Sequence, residues 1–351
     1  MSSVALRRPP DARPRTGSAT PRQPRTQVTI AVLLAAVAAV VVASLLIGSN
    51  LLPPATVAHA LLDPSTDTDA IVWGSRVPRT VLGLLVGASL GIAGAVMQGQ
   101  TGNPLADPGL FGVSAGASLA VVLGVHLFGT TSMLAGLWLA LGGAIVASVV
   151  VFGVAALGRG LSSPVPLAIA GAAVSALLGA ITSFLVLNDA ESLDAYRTWV
   201  VGSLSGRTLE GLGSVLWFTA AGLILALANV RSLNNLALGV DLARGLGESL
   251  WRVRLVGLGA ITLLTAGAVA LAGPIGFVGL TAPHVARALV GGDHVRLLPA
   301  SALVGMITLL TCDVTGRVVG GQAEVPVGVV LSALGGVVFV AIVRQTKLAA
   351  L

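Results

Sequence analysis

Apolar residues fall in long runs joined by short polar connections from residue 28 to residue 343. A helix rises about 1.5 Å per residue, so roughly 20 apolar residues cross the ~30 Å hydrocarbon core of a bilayer. Measured on that ruler, the pattern predicts ten spans: 28–48, 77–99, 110–126, 131–157, 165–188, 211–230, 253–272, 274–290, 297–316 and 325–343. The third and eighth runs are short and interrupted by Gly and Pro, so their ends are poorly marked. None of the runs shows the period-2 alternation that strands of a membrane barrel require. The expected fold is all-α, a polytopic membrane protein of about ten transmembrane helices.

Composition agrees. Of 351 residues, 55% are apolar and 10% charged, against about a quarter charged in a soluble chain. The net charge of +6 is carried almost entirely by arginine, because Lys347 is the only lysine. These arginines lie between apolar runs or in the N-terminal segment, so no nucleic-acid partner is expected. With both termini cytoplasmic, the inner connections hold 15 Lys and Arg and the outer ones 5, the bias that sets orientation in a cytoplasmic membrane. Residues 1–27 are rich in Arg and Pro and are expected to be a disordered cytoplasmic tail, with a membrane domain over 28–348. Ala58-His59-Ala60 has the form of a leader cleavage site, but the preceding apolar run is too long and ends too early for a leader. The first span is expected to stay.

Ionisable chemistry is scarce. A nucleotide-binding loop needs Gly-x-x-x-x-Gly-Lys-Ser/Thr, and Lys347 is followed by Leu348. The interiors of spans one to seven and ten lack Asp, Glu, Lys and Arg, while Asp313 and Arg317 sit near one end of span nine. That disfavours an ion-coupled secondary transporter, which keeps such groups in mid-membrane. One cysteine, Cys312, excludes a disulfide framework, and no catalytic constellation, metal site or cofactor is expected. A solute-moving chain of this kind needs a separate engine. Gly83, Gly87 and Gly91 lay a stripe along span two, and Gly112 and Gly116 repeat the spacing. Such stripes allow close helix packing; a smooth pathway wall is the second reading. Breaks at 103–109, at Gly273-Pro274 and at Pro283 must be shielded by protein or line a cavity.

Four ordered blocks resemble one family. They are Arg76-Val77-Pro78-Arg79 followed by the Gly-rich 84–118, then 236–247, 273–299 and 324–336. Over about residues 28–345 the chain resembles FecCD-type permeases, the membrane subunits of bacterial ABC importers for ferric siderophores, haem and vitamin B12. The resemblance implies a second permease copy (homodimer or related heterodimer) around a central pathway, two ATP-binding subunits beneath, and an extracytoplasmic substrate-binding protein above. It implies a ferric siderophore as cargo, with vitamin B12 or haem as the alternative. It also implies pseudo-symmetric halves, with the broken stretches 94–116 and 267–291 in corresponding places. Matching positions assign Arg76, Arg79 and Arg317 to binding-protein docking, and Asn103, Leu105, Ser162 and Ser163 to the cytoplasmic gate. The segment 233–252 matches the family's coupling helices, giving Gly239, Asp241, Leu242, Arg244, Leu246 and Gly247 to ATPase contact. In that segment Asp241 is expected to cap the helix start and Gly247 to end it.

Overall fold

The computed structural model describes residues 26–48, 51–62, 70–130, 132–157 and 164–349. The described residues form helices and connections, without a strand among them. In chain order the α-helices are α1 (Thr26–Leu46), α2 (Pro54–Leu62), α3 (Val77–Thr101), α4 (Val113–Phe128), α5 (Met133–Leu157), α6 (Pro164–Asn188) and α7 (Ala190–Val200). There follow α8 (Leu212–Ala228), α9 (Val230–Ala237), α10 (Val240–Gly245), α11 (Leu250–Ala272), α12 (Val278–Val290), α13 (His294–Gly320) and α14 (Val327–Ala349).

Every expected span coincides with a helix, and among the described residues six helices are long and apolar enough to cross a bilayer alone. A seventh arises if α8 and α9, bent by 45° at Asn229, count together. The third and eighth spans start later than the hydropathy suggests, because their leading residues are spent on irregular backbone. A 3₁₀ turn at Pro108–Phe111 and a left-handed Gly112 precede α4. Residues 273–277 precede α12, with Gly273 and Phe277 both at positive φ. At 13 residues α12 is about 20 Å long, short of a full crossing. Ala60 of α2 is fully buried, and its carbonyl accepts the Trp73 indole N–H at 2.8 Å.

α3 is the centre of the bundle, packed on α11, α12 and above all α13. The glycine stripe explains how. A Cβ on Gly87 would stand 2.6 Å from the Gly305 carbonyl oxygen, one on Gly91 2.2 Å from that of Ser301, and one on Gly94 1.9 Å from that of Gly279. Backbones therefore touch directly, and the packing reading of the stripe holds. Gly116 does the same against Gly143 of α5, whereas Gly112 serves a turn. The two broken stretches meet: a Cβ on Gly279 would lie 2.6 Å from the Pro108 ring, and the Gln98 amide donates to the Leu280 carbonyl at 3.1 Å. Irregular backbone is thus covered by protein, as the absence of water in the bilayer demands.

Candidate functional site

Two polar clusters occupy opposite ends of α3. At its start, Arg79 donates through Nη2 to Asp313 Oδ1 at 2.9 Å and through Nη1 to Glu324 Oε2 at 2.7 Å. Asp313 also accepts from Arg317, whose Nε stands 2.9 Å from Oδ2. The rest of the Arg317 fork reaches back to α1, donating to the Ser44 and Ile47 carbonyls and to Ser44 Oγ. Arg76 donates to the Leu45 and Leu46 carbonyls. Two arginines therefore cover the last-turn carbonyls of α1, which a helix cannot satisfy internally.

Arg76, Arg79 and Arg317, which the resemblance assigns to binding-protein docking, are 4%, 5% and 2% exposed within this chain. Arg79 on α3 faces Asp313 on α13, and desolvation there demands pairing. Arg79, with Ser75, Ser203, Ser205, Glu324 and Pro326, lines a polar cleft of about 510 Å³. Glu324 holds a left-handed backbone (φ 39°), a strained conformation for a non-glycine residue, and its carboxylate is bound by Arg79 and by the Ser205 hydroxyl at 2.9 Å. Burial pushes this carboxyl up, but the hydrogen bond and charge of Arg79 outweigh burial and hold it below the usual range.

The other end carries the expected gate and coupling segment. Asn103 follows the left-handed Gly102, and its Oδ1 accepts the Leu105 N–H at 2.9 Å, an Asx turn that shapes an exposed loop rather than a helix cap. Leu105 is 37% exposed. Ser162 and Ser163 lie outside the described residues. Asp107 Oδ1 accepts the Gly109 N–H at 2.8 Å and starts the 3₁₀ turn.

The coupling segment is two short helices, α9 and α10, ahead of α11. Gly239 (φ 109°), not Asp241, is the residue before α10. Asp241 is solvent-exposed in the first turn, 3.6 Å from Arg244, since a glycine already supplies the chain reversal. Gly247 (φ 85°) ends the turn: its N–H meets the Arg244 carbonyl at 2.9 Å and that of Glu248 meets the Ala243 carbonyl at 3.0 Å, the paired bonds of a left-handed C-terminus. Leu238, Leu242 and Leu246 are all 60% or more exposed, an apolar ridge with no partner in this chain among the described residues.

Sequence reasoning missed what fastens this segment. Glu248 accepts from Ser232 Oγ at 3.0 Å and from Asn235 Nδ2 at 2.8 Å, clipping α10 to α9. Asn229 Nδ2 donates to the Val253 carbonyl at 3.0 Å. Asn234 Oδ1 accepts both the backbone N–H and ring Nδ1 of His294, at 2.9 and 2.8 Å, while its Nδ2 donates to Asp293 at 2.7 Å. No spacing rule flags these contacts, because their partners are 13 to 60 residues apart and lie on different elements. Behind α9 a cleft of about 540 Å³ is lined in part by Gln98, Gln100, Arg254, Arg287 and His294.

Known proteins share both sequence and fold with this chain. Residues 34–345 match the FecCD transport family. The chain is 45% identical over 303 residues to the ferric enterobactin transport system permease protein FepD of Escherichia coli (strain K12), covering 86% of this chain and 90% of that one. It is 37% identical over 303 residues to the cobalamin import system permease protein BtuC of Halobacterium salinarum, covering 85% and 81%. Among solved structures, an inward-facing conformation of a metal-chelate type ABC transporter matches with a TM-score of 0.75 at 28% identity, over 91% of this chain and 99% of that one.

Proposed function

Because the chain belongs to the FecCD transport family, we propose that it carries a ferric siderophore across the cytoplasmic membrane. It is a multi-pass permease of an ABC importer, a transporter rather than an enzyme, with ATP hydrolysed on a separate subunit. The observation that carries the cargo is the 45% identity with a ferric enterobactin permease over nearly the full length of both chains. Vitamin B12 is the second reading, favoured by the cobalamin relative at 37%.

Both termini are cytoplasmic, on the bias of arginines in the connections. The exposed Leu238–Leu242–Leu246 ridge, on a segment clipped rigidly by Glu248, suits insertion into an apolar groove of the ATP-binding subunit. Asn103 and Leu105 in their exposed turn form the permease's part of the inner gate, and the family resemblance assigns Ser162 and Ser163 to the same gate. The polar cleft around Arg79 and Glu324 faces the extracytoplasmic binding protein. Of the three arginines, Arg79 is the one able to meet it, with Arg76 and Arg317 holding the frame. A second permease copy completes the pathway. The test is uptake by a strain lacking the gene and complemented with it: labelled ferric enterobactin, haem and vitamin B12 are supplied in turn. Restored iron uptake without vitamin B12 or haem uptake is the expected result, and restored uptake of either of those alone would replace the cargo.

A further inference from the structure

We propose that His294 and Asn234 form a positioning link, through which movement of the docking segment α9–α10 is transmitted to the gate loop after α3. The inference rests on the reading of 233–252 as the ATPase contact and of 102–107 as the gate.

Asn234 lies midway along α9. An amide oxygen has two acceptor sites, and both are used on one residue, the backbone N–H and ring Nδ1 of His294. The Asn234 NH₂ group is committed to Asp293, so the amide cannot turn over without losing three contacts. Nδ1 therefore carries the proton and Nε2 is a bare acceptor, since a neutral imidazole has one of each. Nε2 is buried without a hydrogen-bond partner. It presses on α3: a Cβ built on Gly99 would stand 2.4 Å from it.

The ring is thus wedged between two elements. One edge is bonded to the docking segment and the other lies on the last turn of α3, three residues before Gly102 opens the gate loop. Glu248 joins α9 and α10 into one body, so a push on the Leu242–Leu246 ridge reaches Asn234 rather than dissipating in the connection. A structural helix cap would not need this arrangement. Asp293 already caps α13 by accepting the Val295 N–H at 3.1 Å, and that cap involves neither the imidazole nor Gly99.

The two amide replacements of His294 separate the roles. Asparagine places a donor near the position of Nδ1, whereas glutamine places its amide near Nε2 and leaves Asn234 without its ring donor. The full complex of permease, ATP-binding subunit and binding protein is assembled in lipid nanodiscs, carrying Cys312→Ala and a reporter Leu105→Cys. Labelling of the reporter by a soluble maleimide is then timed with and without ATP. In the parent the two rates differ at least about fivefold, the low end of inter-site coupling. His294→Gln, which loses the bond to Asn234, and His294→Asn, which loses the contact with Gly99, each bring that ratio close to unity while ATP hydrolysis by the complex continues. Gly99→Ala, whose Cβ would stand 2.4 Å from Nε2 and shift the ring from its seat, has the same effect and carries the test if the His294 variants fail to assemble. A full ratio in His294→Asn, His294→Gln or Gly99→Ala, or a ratio of unity in the parent, overturns the link. Leu242→Asp reports on the docking reading separately. If it releases the ATP-binding subunit while His294→Gln keeps the parent ratio, the link fails and the docking surface stands.

Discussion

Arg79 Nη2 stands 2.9 Å from Asp313 Oδ1 across 234 residues of chain, and both side chains are almost wholly buried. The same carboxylate also accepts from Arg317 on its own helix, and Glu324 supplies the second negative charge to Arg79. Removing one partner from such a buried pair typically costs about 3–5 kcal/mol, because the other is left charged and dry. Asp313→Ala is expected to lose most of its folded yield, and Arg317→Glu to behave likewise by setting acid against acid. Thermal unfolding in detergent, followed by size-exclusion chromatography, measures both. Parent-like stability in Asp313→Ala would show that the cluster is not holding α3 to α13.

Glu324 gives the same end of the molecule a pH dependence. Its folded-state value lies below the ordinary 4.5, so its pairing with Arg79 contributes fully above about pH 4.5 and is lost as pH falls through the lower folded value. Glu324→Gln should be less stable than the parent at neutral pH, and the gap should close in acid. A constant gap between pH 7 and pH 3 would contradict the assignment.

The apolar ridge makes a quantitative demand on assembly. Burying a leucine side chain contributes roughly 1.5–3 kcal/mol, so Leu242→Asp or Leu246→Asp should weaken retention of the ATP-binding subunit about tenfold or more. The permease itself should still insert, because both positions lie outside the membrane. Co-purification with a tagged permease reads the loss.

Energy supply is a separate matter. With Lys347 as the sole lysine and no phosphate-binding loop around it, the permease alone is expected to hydrolyse no ATP. Phosphate release by a preparation shown to be free of the partner subunit would refute this.

Close backbone contact is expected to be intolerant of even one methyl group. Gly94→Ala drives a Cβ into the Gly279 carbonyl, and overpacking of this kind costs about 1–3 kcal/mol. Gly136→Ala, in open space on α5, should be silent. Equal melting temperatures for the two variants would mean that α3 and α12 are free to slide apart.

Hydropathy located ten of the fourteen helices among the described residues, because the bilayer imposes one length scale on every span. It misjudged α4 and α12, where Gly112, Gly273 and Phe277 use apolar residues for turns, and turns carry the same hydropathy as helix. The glycine stripe of α3 was legible since spacing along one helix fixes one face. Arg76, Arg79 and Arg317 were recognisable as polar outliers, but their partners were not. Pairing Arg79 with Asp313 needs the register of α3 against α13, which the glycines set and no local pattern encodes. Asp241 failed as a cap because Gly239 had already supplied the reversal. Asn234 and Glu248 carry no signal, and His294 reads only as a scattered histidine without ligand spacing, since single polar residues are common at connections.

The arginine hold on α1 has a consequence for how the chain is made. Only 11% of the apolar window of α1 is buried, so packing along its length fixes it weakly, and its last-turn carbonyls receive Arg317 from 273 residues downstream. At 5–20 residues per second, ribosomes need roughly 14–55 s to reach that arginine after Ser44. Through this interval the first helix to enter the lipid has Arg76 as its early tether, and it is secured only when the ninth span is in place. The span inserted first is thus among the last to be fixed, and a nascent chain stalled before residue 317 would present its own N-terminal helix to membrane quality control as a loose end.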